Sequence, residues 1–216
     1  MPMPNRKPEG RESRANGHIE ARFAAGETQL RQIVGYAAMF NSETVIYGMW
    51  REVIAPGAFS AAIAAGQDVR ALVNHDENLV LGRTTAKTLV LSEDTRGLQV
   101  EITPPDTQAG RDIIVSLDRG DIDQMSFAFV ATSERWDEPL DGIGLPLRTV
   151  ITADLYDVSV VTYPAYEDTE VGLRSLNAWR GPPAAAPTVI DLNAPHHVRR
   201  RMALRDAERR LQSRTA

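Results

Sequence analysis

Ser126, in the segment DIDQMSFAFVA, and His75, in LVNHDENLVLGRT, are the side chains of this chain best suited to do chemistry together. A serine hydroxyl is inert at neutral pH until a base removes its proton, and a neutral imidazole is the usual base. His75 is the only histidine expected inside the folded body. His18 lies at the edge of a polar N-terminal stretch, and His196 and His197 follow a Pro/Ala-rich segment. The pair suits a serine hydrolase built without a GxSxG elbow, with the hydroxyl projecting from a strand and the imidazole facing it across a sheet or barrel. The alternatives are a strand serine that only bonds a neighbour and a structural histidine. Zinc is not expected, because His75 next to Asp76 lacks ligand spacing and no second core histidine exists. No cofactor is expected either.

A third group must hold the imidazole tautomer. Asp157, in LYDVSVV, is the first choice, since a carboxylate inside an apolar strand is costly unless paired. Asp154 is the alternative, and an exposed strand carboxylate is the other reading of Asp157. Asp76 is too near His75 in sequence to be the default partner, though it could shape the loop. Arg83 could supply charge near the site or form a surface ion pair. Backbone N–H groups near Ser126, or after Val161, are the candidate oxyanion donors.

The elements that must position these groups are mostly strands. Residues 32–40, 45–54, 69–73, 88–92, 97–103, 125–132 and 147–162 carry strand-like patterns, and EDTRG marks a hairpin between two of them. In MSFAFVAT, Ser126, Ala128 and Val130 share one face, and Met125, Phe127 and Phe129 share the other. Short helices are expected at 57–65 and 110–119, the latter capped by Asp106 or Thr107 and closed by Gly120. Residues 173–179 suit a helix or a strand. The expected class is α+β, mainly β, closed or nearly closed and decorated by a few helices.

Four regions are expected: a disordered tail over 1–18, a catalytic domain over 19–180, a Pro/Ala-rich linker over 181–197 and a basic tail over 198–216 with a short helix. The net charge of −5 divides unevenly, with seven arginines in the last region. An acidic body argues against a general nucleic-acid binder. The absence of cysteine removes disulfides, thiolate metal sites and a cysteine nucleophile together. No apolar run is long enough for a membrane span and the N-terminal stretch lacks a signal-peptide core, so a soluble cytoplasmic protein is expected.

The order GYAAMF, EVIAPGAF, LVNHD with LGRT, GLQVEI, the MSF serine strand and DVSVVTYPAY resembles the prohead proteases of tailed phages, relatives of the herpesvirus assemblins. The resemblance runs from about Gln32 to Arg174. It implies a herpesvirus-protease-like β-barrel surrounded by a few helices, with His75 as base, Ser126 as nucleophile and Asp157 at the third position. It further implies an endopeptidase that cuts the major capsid protein precursor or a scaffold protein, and itself, inside the assembling prohead in the host cytoplasm. A homodimer is suggested by the assemblins. The alternatives are a non-catalytic scaffold module of the same fold and an esterase, against which the missing GxSxG weighs.

Overall fold

The protein is described by a computed structural model covering residues 10–23, 31–139, 143–163 and 170–181. Chain contacts divide it into two units, Met1–Leu176 and Asn177–Ala216. Among the described residues the second unit comprises the last part of one helix and Gly181. The expected linker beyond Gly181 and the basic tail lie outside the described residues.

Among the described residues ten strands form the first unit's sheet: β1 (Glu12–Phe23), β2 (Arg31–Met39), β3 (Thr44–Ile46), β4 (Trp50–Ile54), β5 (Arg70–Val73), β6 (Asp76–Arg83), β7 (Leu89–Glu93), β8 (Gly97–Ile102), β9 (Gln124–Asp137) and β10 (Leu147–Val161). The described residues also hold three helices, α1 (Ser60–Ala64), α2 (Gln108–Arg119) and α3 (Glu170–Arg180). The class is therefore mainly β with a few helices, as expected from the sequence.

The barrel is not formed. The main path runs β3-β4-β10-β9-β1-β2-β8-β7, with β5 joined to β10 and β6 paired only to β5, so the mixed sheet stays open. The reason lies in β10. One of its edges carries β9 along its whole length, while the other is divided between two parallel strands, β4 at Leu147–Val150 and β5 at Asp157–Val160. Alternation in a sequence identifies strands but does not report such branching.

The apolar face of β9 anchors the core. Met125, Phe127 and Phe129 are fully buried within one cluster. The Phe127 ring stacks on Phe129 at 5.2 Å and meets the edge of Phe59 at 5.6 Å. Burying each such ring contributes roughly 1.5–3 kcal/mol. Ser126 and Ala128 point to the opposite face, as the alternation predicts. Upstream, α2 starts at Thr107, whose hydroxyl accepts from the Gly110 N–H, and stops at Gly120 with φ 75°. That stop turns the chain into β9.

β1 corrects the expected disorder of residues 1–18 over its own span. Glu12, Ser13, Arg14 and Ala15 are buried, and Glu12 to Arg14 pair with Phe129 to Phe127. Charged residues here read as solvated because their partners are remote in sequence. Arg14 bonds Glu12 at 2.6 Å and Glu52 at 2.5 Å, and Arg148 bonds Glu12 at 2.7 and 2.8 Å, Glu52 at 2.9 Å and Glu134 at 2.7 Å. Burial alone pulls both guanidiniums toward neutrality, but the surrounding carboxylates hold them charged. The network ties β1 to β4, β9 and β10.

Candidate active site

Ser126 and Ser159 face each other across the β9–β10 ladder, and Asp157 pairs with Ala128 one step along. On β10, Val158 and Val160 point into the core, so Asp157 and Ser159 share the Ser126 face. His75 arrives from the next strand over. Parallel pairing of β5 with β10 sets Val73 beside Val160, and the Asn74 N–H extends this ladder to the Val160 carbonyl at 2.8 Å. Residues Val73 and Asp76 pair, leaving Asn74 and His75 as a two-residue turn with φ 49° and 57°. Positive φ at both central positions is what a tight β-hairpin requires, usually with glycine second. Here histidine takes that place, which swings the imidazole back over the sheet.

The result is a continuous chain of hydrogen bonds. Ser126 Oγ lies 2.7 Å from His75 Nε2, and His75 Nδ1 lies 2.6 Å from Asp157 Oδ1. With the proton on Nδ1 donated to the carboxylate, the Nε2 lone pair is left to accept from the serine hydroxyl. The Ser159 hydroxyl donates to Asp157 Oδ1 at 2.9 Å and lies 3.2 Å from Nδ1, and the His75 backbone N–H donates to it at 3.3 Å. Arg11 forms an ion pair with Asp157 Oδ2. The carboxylate is nearly fully buried yet engaged on both oxygens, which is how a buried charge is tolerated.

Of the candidates, Ser126, His75 and Asp157 are brought together. Asp154 is not part of the cluster, because its Oδ1 accepts from Gln67 Nε2 at 2.6 Å. Asp76 accepts from the Asn78 N–H at 2.9 Å and so shapes the start of β6. Arg83 pairs with Asp68 at 2.6 Å on the surface, where the guanidinium bond holds the Asp68 carboxyl below its ordinary range. The Thr162 N–H donates to Asn74 Oδ1 at 3.0 Å, which takes that group out of the set of free oxyanion donors.

Sequence reasoning missed Arg11, Ser159 and Asn74. Ser159 had a signal, since it stands two residues after Asp157 and must share its face. Asn74 also had one, as a residue suited to positive φ directly before His75. Arg11 had none. Among the described residues no group of three or more His, Asp or Glu could hold a metal ion.

A hydroxyl, an imidazole and a carboxylate bonded in that order are equipped for acyl transfer through a serine ester. No curated protein and no solved structure matches the chain. The family model described as caudovirus prohead serine protease matches residues 18–180, most of the chain, and the protein belongs to that family.

Proposed function

We propose that the protein is a serine endopeptidase that cuts the major capsid protein precursor, a scaffold protein or both during prohead maturation. Ser126 attacks the scissile carbonyl while His75 takes its proton through Nε2. The same imidazole then delivers that proton to the leaving amine, and water hydrolyses the acyl-enzyme with His75 again as base. Asp157 holds the tautomer and balances the transient imidazolium. The observation that supports this reading is the unbroken Ser126–His75–Asp157 chain at 2.7 and 2.6 Å, assembled from two strands and a hairpin turn of a chain in this family.

The working location is the assembling prohead inside the host cell. Among the described residues no helix is long and apolar enough to cross a membrane. The Pro/Ala-rich segment and the arginine-rich tail are the stretches this reading assigns to self-cleavage. Homodimerisation and a herpesvirus-protease-like ancestry belong to the same reading.

One observation favours a second reading, a non-catalytic assembly module of the same fold. Ser126 is 0% exposed, so a polypeptide carbonyl reaches Oγ only after its cover moves. A fluorophosphonate probe separates the two. Stoichiometric labelling of wild type and none of Ser126→Ala supports the enzyme. Absence of labelling in a folded wild-type protein, together with normal prohead assembly by Ser126→Ala, supports the module.

A further inference from the structure

We propose that Arg11 is a positioning residue of the catalytic centre, acting on His75 through Asp157, and that residues 11–17 are part of the working enzyme. The proposal rests on the catalytic reading above. The matched region, residues 18–180, contains Ser126, His75 and Asp157 but not the arginine that pairs with Asp157. Arg11 lies upstream of it and yet reaches the centre.

The reach is set by register. Glu12 pairs with Phe129 and Ser13 with Ala128 in β1–β9. Alternation puts Arg11 on the face of Ser13 and Ala128, which is the face of Ser126 and Asp157. Its guanidinium crosses β9 to the Asp157 carboxylate on β10, where the arginine side chain is 11% exposed and the carboxylate 3%. The strand beneath it is tied down by the buried ion pairs of Glu12 and Arg14 with Glu52 and Arg148.

The division of the carboxylate explains what Arg11 does. His75 Nδ1 and the Ser159 hydroxyl both use Oδ1, while Arg11 uses Oδ2. Partners on both oxygens fix the rotation of the carboxylate plane, and the plane aims Oδ1 at Nδ1. A second cation on Asp157 also competes with the imidazolium for the same charge. The benefit of Arg11 is therefore geometric, orienting the base rather than strengthening it electrostatically. Removing it lets the carboxylate turn and the imidazole tilt from Ser126, which slows the chemical step without touching bound substrate.

The test uses the full chain and a fluorophosphonate probe, with the labelling rate of Ser126 followed by intact mass. The variants are Arg11→Ala, Arg11→Met, Asp157→Ala, Arg11→Met/Asp157→Ala and Ser126→Ala, each checked by its melting curve. Arg11→Met keeps the apolar stem, so it packs where alanine leaves a gap. Labelling of Arg11→Met is expected to slow roughly 10–100-fold. Millimolar guanidinium restores part of the rate to Arg11→Ala. In the Asp157→Ala background, Arg11→Met causes no further loss, because Arg11 acts through that carboxylate.

A folded Arg11→Met that labels at the wild-type rate overturns the proposal. So does an equal loss from Arg11→Met with and without Asp157. Wild-type labelling of Ser126→Ala instead overturns the catalytic reading itself, whereas an inert Ser126→Ala beside a fully active Arg11→Met overturns only the role of Arg11.

Discussion

Replacing Asp157 by asparagine keeps the shape of the side chain and removes its charge. In the native site that charge takes the His75 Nδ1–H at 2.6 Å, the Ser159 hydroxyl at 2.9 Å and the Arg11 guanidinium. The amide offers its own N–H groups toward His75 and favours the tautomer with the proton on Nε2, where it blocks the serine. A loss of about 10³–10⁴ in the rate of acylation follows, equal to roughly 4–5.5 kcal/mol of barrier. The stability cost is smaller. Arg11 loses its counter-charge but stands at the end of a strand, so the cost is that of an unsatisfied buried group, about 1–3 kcal/mol. At roughly 2–4 °C per kcal/mol this lowers the melting temperature by about 2–12 °C. With an ordinary domain stability of about 5–15 kcal/mol, only a few per cent of molecules at most would be unfolded. Unfolding therefore does not account for the kinetic loss. Fluorophosphonate labelling gives the rate and circular-dichroism melting gives the stability. Asp154→Asn is the matched control, because Asp154 bonds Gln67, and it is expected to label within about threefold of wild type. Labelling of a folded Asp157→Asn within tenfold of wild type would refute the reasoning.

Other sites carry further expectations. Burial pushes the Glu52 carboxyl up, but Arg14 and Arg148 more than offset this and hold it below its ordinary value of 4.5. A depressed folded value means that its contribution is complete above the ordinary value and is lost as pH falls through the depressed one. Glu52→Gln is expected to cost about 3–5 kcal/mol at pH 7 and to flatten the fall of melting temperature as pH drops below about 5; an unchanged pH slope would show that Glu52 carries no such linkage. Asn74 combines φ 49° with a cap on the Thr162 N–H. Asn74→Val should therefore lose about 2 kcal/mol and Asn74→Gly less than about 1 kcal/mol, with both labelling more slowly than wild type. A Cβ at Gly172 would stand 2.7 and 2.9 Å from the fully buried indole of Trp50. Gly172→Ala is expected to destabilise by about 1–3 kcal/mol, and an unchanged melting curve would mean that α3 shifts freely on Trp50.

The site was legible where local pattern carries it. The alternation of MSFAFVAT separates Ser126 from the phenylalanines, and the lone core histidine narrows the choice of base. The choice between Asp154 and Asp157 was not legible, because the ladder register shifts between Leu155 and Asp157. Ala153 and Leu155 point into the core before the bulge, and Val158 and Val160 do so after it. Parity along the strand thus changes at the place where it was needed. β1 was hidden for another reason. Its buried positions are charged, and their partners Glu52 and Arg148 come from distant strands. Closure of the sheet was equally out of reach, since two strands sharing one edge of β10 look in sequence like any two strands.

The central claim is that Ser126 cleaves a polypeptide. Its most direct test is intact mass spectrometry of the full chain, wild type beside Ser126→Ala, each incubated with the capsid precursor under assembly conditions. Fragments of the precursor in the wild-type reaction and none with Ser126→Ala are the predicted result. The same fragments in both reactions, or an intact precursor in both, would contradict it.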